Sequence, residues 1–228
     1  MIELHSWPTP NGLKVSIFLE EAGVEHTVFP VNIGKGQQFA PHFLSFSPNN
    51  RIPAILDRDP PGGGEPITVF ESGAILFHLA RKVEKFIPKD PRGTMEVLQW
   101  LFWQVGGLGP MAGQNHHFNI YAPEKVPYAI DRYVNETARL YGVLDRRLAD
   151  RECVAGDYSI ADMAIYPWIV PHENQQQNLD DFPHVKRWFA AIGARPAVMK
   201  VYAEKDALYP AGAPQTEEEK ARLFGLKK

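Results

Sequence analysis

The chain has 228 residues, of which 44% are hydrophobic and 22% charged, and a formal net charge of −3 at pH 7. This composition supports packed cores and excludes wholesale disorder, and the length suits two ordinary domains better than one. With no basic footprint for a polyanion, nucleic acid is not an expected partner. The least polar long stretch, residues 97–113, is interrupted by Gln99, Gln104, four glycines and Pro110, which argues against a membrane span. The amino-terminal Met1-Ile2-Glu3-Leu4-His5 lacks the basic and apolar regions of a signal peptide, so a cytoplasmic location is expected.

Residues 2–7 alternate with period two, Thr9-Pro10-Asn11-Gly12 punctuates, and residues 13–22 carry apolar side chains at helical spacing before Gly23. A second strand is expected over 26–31, a short irregular helix over 39–46 and a third strand over 52–56. Pro60-Pro61-Gly62-Gly63-Gly64 reads as the loop of a hairpin returning through 66–70, and residues 72–83 as an amphipathic helix. The order βαβ, helix, ββ, helix is the thioredoxin-like arrangement: two parallel strands joined by a helical crossover, then an antiparallel hairpin. Beyond Pro88-Lys89-Asp90-Pro91 strand signals vanish, and helices are expected over 93–105, 127–150, 160–175, 185–192 and 198–208. The expected domains are therefore an α+β unit at 1–87, an all-α unit at 92–208 and a tail at 209–228, where Thr216-Glu217-Glu218-Glu219 repeats a capping pattern that suits either a terminal helix or a frayed end. In the helical part, Ser159-Ile160-Ala161-Asp162 reads as a capping box, with Tyr158 placed to staple onto Met163.

Cys153 is the only cysteine, so the chain forms no intrachain disulfide and holds no Cys-x-x-Cys pair. Thiol chemistry would need a thiol brought by a ligand or Cys153 acting alone, and its setting in Glu152-Cys153-Val154-Ala155 reads as inert packing. Thr9 fits a helix N-cap with Pro10 at the first helical position, which is a sufficient structural role. The same hydroxyl, with the Asn11 amide beside a helix N-terminus, also suits a bound thiol held as its anion. Ile52-Pro53 is trans by base rate; a cis bond would turn the Ile52 backbone N–H and C=O towards a peptide-like ligand. Glu71-Ser72 at a strand-to-helix junction reads either as a plain cap or as a receptor for the ammonium and carboxylate of an α-amino acid head. His116-His117 is adjacent rather than spaced along one helix face, so no metal is expected. Gly106-Gly107-Leu108-Gly109-Pro110 is no phosphate loop and reads as a break in a long helix.

These motifs, in their order and spacing, resemble the glutathione transferase superfamily from residue 1 to about 205. Pro8-Thr9-Pro10-Asn11-Gly12-Leu13-Lys14, Gly34-Lys35-Gly36-Gln37-Gln38-Phe39 and the run from Gln99-Trp100 to Pro110-Met111 further resemble the bacterial Nu class and its fungal relatives related to the nitrogen regulator. The resemblance implies glutathione, reduced or oxidised, as co-substrate, and disulfide-bond reductase activity with modest peroxidase or conjugating activity; the alternatives it leaves open are a transferase or peroxidase acting on small electrophiles and a non-enzymatic glutathione-binding regulatory protein. It further implies that Thr9 and Asn11 face the glutathione sulfur, that Ile52 pairs with the cysteinyl backbone before a cis Pro53, and that Glu71 and Ser72 hold the γ-glutamyl head. Gln38 at the glycyl end, and Arg132 contributed across a homodimer, complete the implied set. Where better-known classes carry Tyr, Ser or Cys, this chain has Thr9, which weakens the case for conventional conjugation and excludes a mixed disulfide at that residue.

Overall fold

A computed structural model of the chain describes residues 1–208 and 216–224. By contact it divides into two compact units, Met1–Val83 with the described part of Pro196–Lys228, and Glu84–Arg195. Among the described residues no helix is long and apolar enough to cross a membrane.

The first unit contains β1 (Ile2–Ser6), α1 (Pro10–Ala22), β2 (His26–Pro30), α2 (Pro41–Leu44), β3 (Ala54–Asp57), β4 (Ile67–Phe70) and α3 (Ser72–Val83). The sheet order is β2-β1-β3-β4, with β1 parallel to β2 and antiparallel to β3, and β3 antiparallel to β4. This is the arrangement expected from the strand and helix order. Every residue of β1 is buried although its sequence alternates, because the strand is central and both faces are covered. Ile2 and Leu4 join the apolar core with Val15, Phe18, Ile55, Ile75 and Leu79. On the other face Glu3 accepts from Arg58 Nε at 2.7 Å, and the His5 ring stacks on Phe29 at 4.9 Å between centroids. At the far end of β3, Asp57 is fully buried and accepts from Lys82 Nζ at 2.6 Å and bonds to His78 Nε2 at 2.8 Å, tying the sheet to α3. In the hairpin loop Gly62, Gly63 and Gly64 all have positive φ, a run that side-chain-bearing residues adopt only with strain.

The second unit is helical: α4 (Pro91–Trp103), α5 (Gly109–His116), α6 (Pro127–Arg147), α7 (Ile160–Ile169) and α8 (Pro183–Gly193). The glycine-rich run expected to break the first of these does not break it. The chain continues from α4 to α5 through a π-helical turn, Gln104–Leu108, and leaves α5 through a second one, His117–Tyr121. Pro110 has no N–H and its ring crowds the carbonyl one turn back; widening the helix accommodates it without ending the helix. The helix expected over 160–175 ends earlier, at Ile169, with a 3₁₀ turn at Glu173–Gln175 after Pro171. Its capping box is present, and Asp162 is fully buried beneath it.

The last two helices are α9 (Pro196–Leu208) and α10 (Glu217–Phe224). Helix α9 packs on α1, so by contact it groups with the first unit, whereas the helical pattern along the chain runs it on with the all-α domain up to residue 208. Chain order places α9 after the other helices, but it packs on α1, and its Val198 and Val201 are buried. Helix α10 opens with Thr216 Oγ1 accepting from Glu219 N at 3.2 Å while Glu219 Oε2 accepts from Thr216 N at 2.9 Å, so of the two forms the tail pattern suits, the chain takes the helix.

Candidate functional site

The strand register decides which sequence motifs meet. His5 pairs with Ala54, and Ala54 pairs with Phe70, so the exits of β1 and β4 and the entrance to β3 lie at one end of the sheet. Strand β2 leaves at the same end, since Pro30 pairs with Ser6. The register thereby gathers Thr9 and Asn11, Ile52 and Pro53, Glu71 and Ser72, and the segment leading from β2 to Gln38. Residues separated by more than sixty positions in the chain come together because β1 runs parallel to β2 and antiparallel to β3, which is in turn antiparallel to β4.

At the exit of β1, Thr9 is extended (φ −97°, ψ 165°) and caps α1, its Oγ1 accepting from Gly12 N at 3.4 Å. Pro10 follows at the first helical position and Asn11 lies in the first turn. Gly12 lets α1 press down on this turn: a Cβ there would lie 2.1 Å from Trp7 O and 2.4 Å from Ser6 Oγ. The positive end of the α1 dipole is consequently brought against the Trp7-Pro8-Thr9 turn. Two hollows flank that turn. One, of about 140 Å³, is mainly apolar and lined by residues including Trp7, Leu13, Val28 and Val201. The other, of about 130 Å³, is lined by Thr9, Asn32 and Gly34 together with Glu219 and Leu223 of α10. Both are smaller than the roughly 300 Å³ at which pockets begin to enclose whole ligands, so neither by itself encloses one.

At the exit of β4, Glu71 takes a left-handed φ of 70° and its carbonyl accepts from Ile75 N at 2.9 Å, placing it at the N-cap of α3. Its side chain is exposed, while Ser72 behind it is buried. Ser72 Oγ accepts from Lys14 Nζ at 3.2 Å. Lys14 is 1% exposed; burial pulls its pKa down to about 7, against the upward pull of the Glu71 charge. The Lys14 role was missed from sequence, although its place four residues before Phe18 on the inward stripe of α1 was a usable signal.

The Ile52-Pro53 peptide is cis, against the base rate and as the family resemblance implied. Ile52 packs against a small cluster of Val31, Phe43 and Ala54. Gln38 lies in a 3₁₀ turn, Gln37–Phe39, and is 3% exposed; its Oε1 has no hydrogen-bond partner among the described residues. The turn is anchored by Asn32 N donating to Gln37 Oε1 at 2.7 Å.

Arg132 belongs to the second unit. It is exposed on α6 in a shallow groove with Tyr128, Asp131, Asn135, Glu136 and Arg139, where Arg139 forms a two-point ion pair with Glu136. Cys153 also belongs to this unit; burial first, then the Asp162 charge, push its thiol pKa up to about 12. Among the described residues no group of three or more His, Cys, Asp or Glu is placed to hold a metal ion.

The model of the glutathione S-transferase N-terminal domain matches residues 1–81, and that of the C-terminal domain matches residues 110–196. The chain is 54% identical over 198 residues to the disulfide-bond oxidoreductase YfcG of Escherichia coli, covering 86% of this chain and 92% of that protein. A crystal structure of a glutathione transferase family member from Pseudomonas fluorescens, with two glutathione bound, matches with TM-score 0.83 and 46% identity over 88% of this chain and 91% of that one. A glutathione transferase from Pseudomonas putida, with one glutathione disulfide bound per subunit, matches with TM-score 0.83 and 45% identity, covering 88% and 90%. With both domain models matched in order and relatives this similar across most of its length, the chain belongs to the glutathione S-transferase family.

Proposed function

We propose that this chain is a glutathione-dependent disulfide-bond oxidoreductase of the Nu class, acting in the cytoplasm as a homodimer. The observation that carries the reading is the arrangement at the α1 N-terminus: Thr9 lines a hollow, Asn11 follows in the first turn of the helix, and the first unit has no cysteine. A site that stabilises a thiolate but supplies none needs the sulfur of its ligand. The activity named for YfcG and the glutathione or glutathione disulfide held by the structural relatives support glutathione as that ligand.

The chemistry follows from thiol–disulfide exchange. A free thiol of pKa about 8.5 is only a few per cent ionised at pH 7, whereas lowering it by about two units, roughly 2.7 kcal/mol, leaves about three quarters as thiolate. The bound glutathione thiolate attacks one sulfur of the substrate disulfide, forming a mixed disulfide and expelling the other sulfur as a thiolate that takes up a proton. A second glutathione thiolate then attacks the glutathione sulfur of that mixed disulfide, releasing the remaining substrate thiol and leaving glutathione disulfide. The protein contributes orientation and charge stabilisation. In this reading Glu71 accepts from the γ-glutamyl ammonium, Ser72 donates to its carboxylate, Ile52 before Pro53 pairs with the cysteinyl backbone, Gln38 meets the glycyl end, and Arg132 reaches the glutathione of the other subunit.

The test is a double substitution, Thr9→Ala with Asn11→Ala, assayed with glutathione against 2-hydroxyethyl disulfide and against a halonitrobenzene. The expected result is efficient disulfide reduction by the parent chain, slow conjugation, and loss of reduction by about a hundredfold or more in the variant, the range for removing donors that stabilise a reacting anion. Conjugation faster than disulfide reduction in the parent would instead assign the chain as a transferase for small electrophiles, and undiminished reduction in the variant would remove Thr9 and Asn11 from the mechanism.

A further inference from the structure

Among the described residues Lys14 is the one lysine or arginine that is fully buried. Taking an ammonium out of water is costly unless a partner compensates. Part of that compensation comes from α3: Nζ donates to Ser72 Oγ at 3.2 Å, at the first residue of the helix and next to Glu71. A serine hydroxyl has one proton to give and two lone pairs to receive. When Lys14 occupies a lone pair, the Ser72 proton is left to be given to another acceptor. The positive charge then stands one hydroxyl away from whatever that acceptor is.

We propose that Lys14 is a positioning residue for the carboxylate of the γ-glutamyl head, fixing Ser72 as a hydrogen-bond donor and setting a buried positive charge behind the ligand anion. This rests on glutathione binding at Glu71 and Ser72 as argued above. It assigns to the head-group site a charge that none of the expected contact residues in this unit provides, since Thr9, Asn11, Gln38, Ile52, Pro53 and Ser72 are uncharged and Glu71 is negative.

The electrostatics give the idea a signature. Burial and the positive ends of the α1 and α3 dipoles disfavour the ammonium form of Lys14, and the Glu71 charge favours it. Of the charged groups on the helices packed against α1, His78 and Lys82 of α3 are bound to Asp57 and Arg81 is exposed; on α9 Lys200 is paired with Glu20 and Glu204, and Lys205 with Asp206. An arriving carboxylate raises the proton affinity of Lys14, so binding takes up protons near neutral pH.

Calorimetry tests this with S-methylglutathione, which has no thiol to ionise, in two buffers of different ionisation enthalpy at about pH 7. With a Lys14 pKa of about 7 the wild-type chain is expected to take up about half a proton per ligand. Lys14→Met is expected to abolish the uptake and weaken binding by about tenfold or more, the range for losing a charge-assisted hydrogen bond. In turnover the loss falls on KM for glutathione rather than kcat. Ser72→Ala keeps the amine in place and serves if Lys14→Met does not fold: it is expected to weaken binding and reduce the uptake. Binding by Lys14→Met within twofold of wild type, or proton uptake unchanged in either variant, overturns the assignment of Lys14. A wild-type chain that binds no glutathione or S-methylglutathione instead overturns the functional reading on which the assignment stands.

Discussion

Asp162→Ala is the substitution whose cost the structure specifies best. The carboxylate is fully buried and accepts from Val154 N at 2.9 Å, Trp188 Nε1 at 2.9 Å, Ser159 N at 3.1 Å and Ser159 Oγ at 3.2 Å. It thus ties the start of α7 to the loop before it and to α8. Alanine leaves three N–H donors of buried residues facing a cavity, while the Ser159 hydroxyl is free to turn elsewhere. At about 1–3 kcal/mol for each unsatisfied donor the loss is about 3–9 kcal/mol. Two effects reduce it: a water can enter the space vacated, and the desolvation that raises the pKa of Asp162 is relieved. The expected net loss is about 3–4 kcal/mol, a large part of the roughly 5–15 kcal/mol that holds a domain together. Asparagine keeps one acceptor oxygen but turns an NH₂ towards a donor, so its loss should be intermediate, about 2 kcal/mol. Urea unfolding followed by tryptophan fluorescence measures both, with Trp188 inside the network as a local reporter. A loss below about 1 kcal/mol for alanine, or equal losses for the two variants, would show that these donors do not depend on Asp162.

Two further outcomes follow from charge and thiol chemistry. At Asp57 burial works to raise the pKa, but hydrogen bonds from Lys82 and His78 and the Lys82 charge bring it below the ordinary carboxylate value. A depressed folded value means stabilisation that is complete above the unfolded pKa of about 4 and lost as pH falls through the folded one. The difference in unfolding free energy between wild type and Asp57→Asn should therefore be retained at about pH 5 and shrink below about pH 4; a difference that grows on acidification contradicts the network. Cys153, its thiol pushed up to about 12, should react slowly with iodoacetamide in the folded chain at neutral pH, and Cys153→Ala should keep disulfide reduction within twofold. A tenfold loss would bring a protein thiol into the mechanism.

The motifs legible in sequence were those whose chemistry is local. Thr9-Pro10 announces a cap because the capping hydroxyl and the proline both act within one turn, and Ser159 with Asp162 announces a capping box for the same reason. Strand and helix order was legible from periodicity, although the π-helical passage at Gln104–Leu108 was not, because glycines and a proline look alike whether they end a helix or widen it. The partners of Asp162 beyond its own box were also illegible: Val154 and Trp188 approach it only when α7 and α8 pack.

Residue type and short-range spacing survive in the linear string, and from them alone come the set of elements, the family resemblance and the lack of any cysteine that could serve the first unit. Folding in three dimensions had to settle which motifs share one sheet end, that a lysine from α1 stands behind the serine of α3, and that α9 packs with the first unit. Each of these is a pairing between distant segments, fixed by strand register and by the burial of side chains whose partners the sequence does not name.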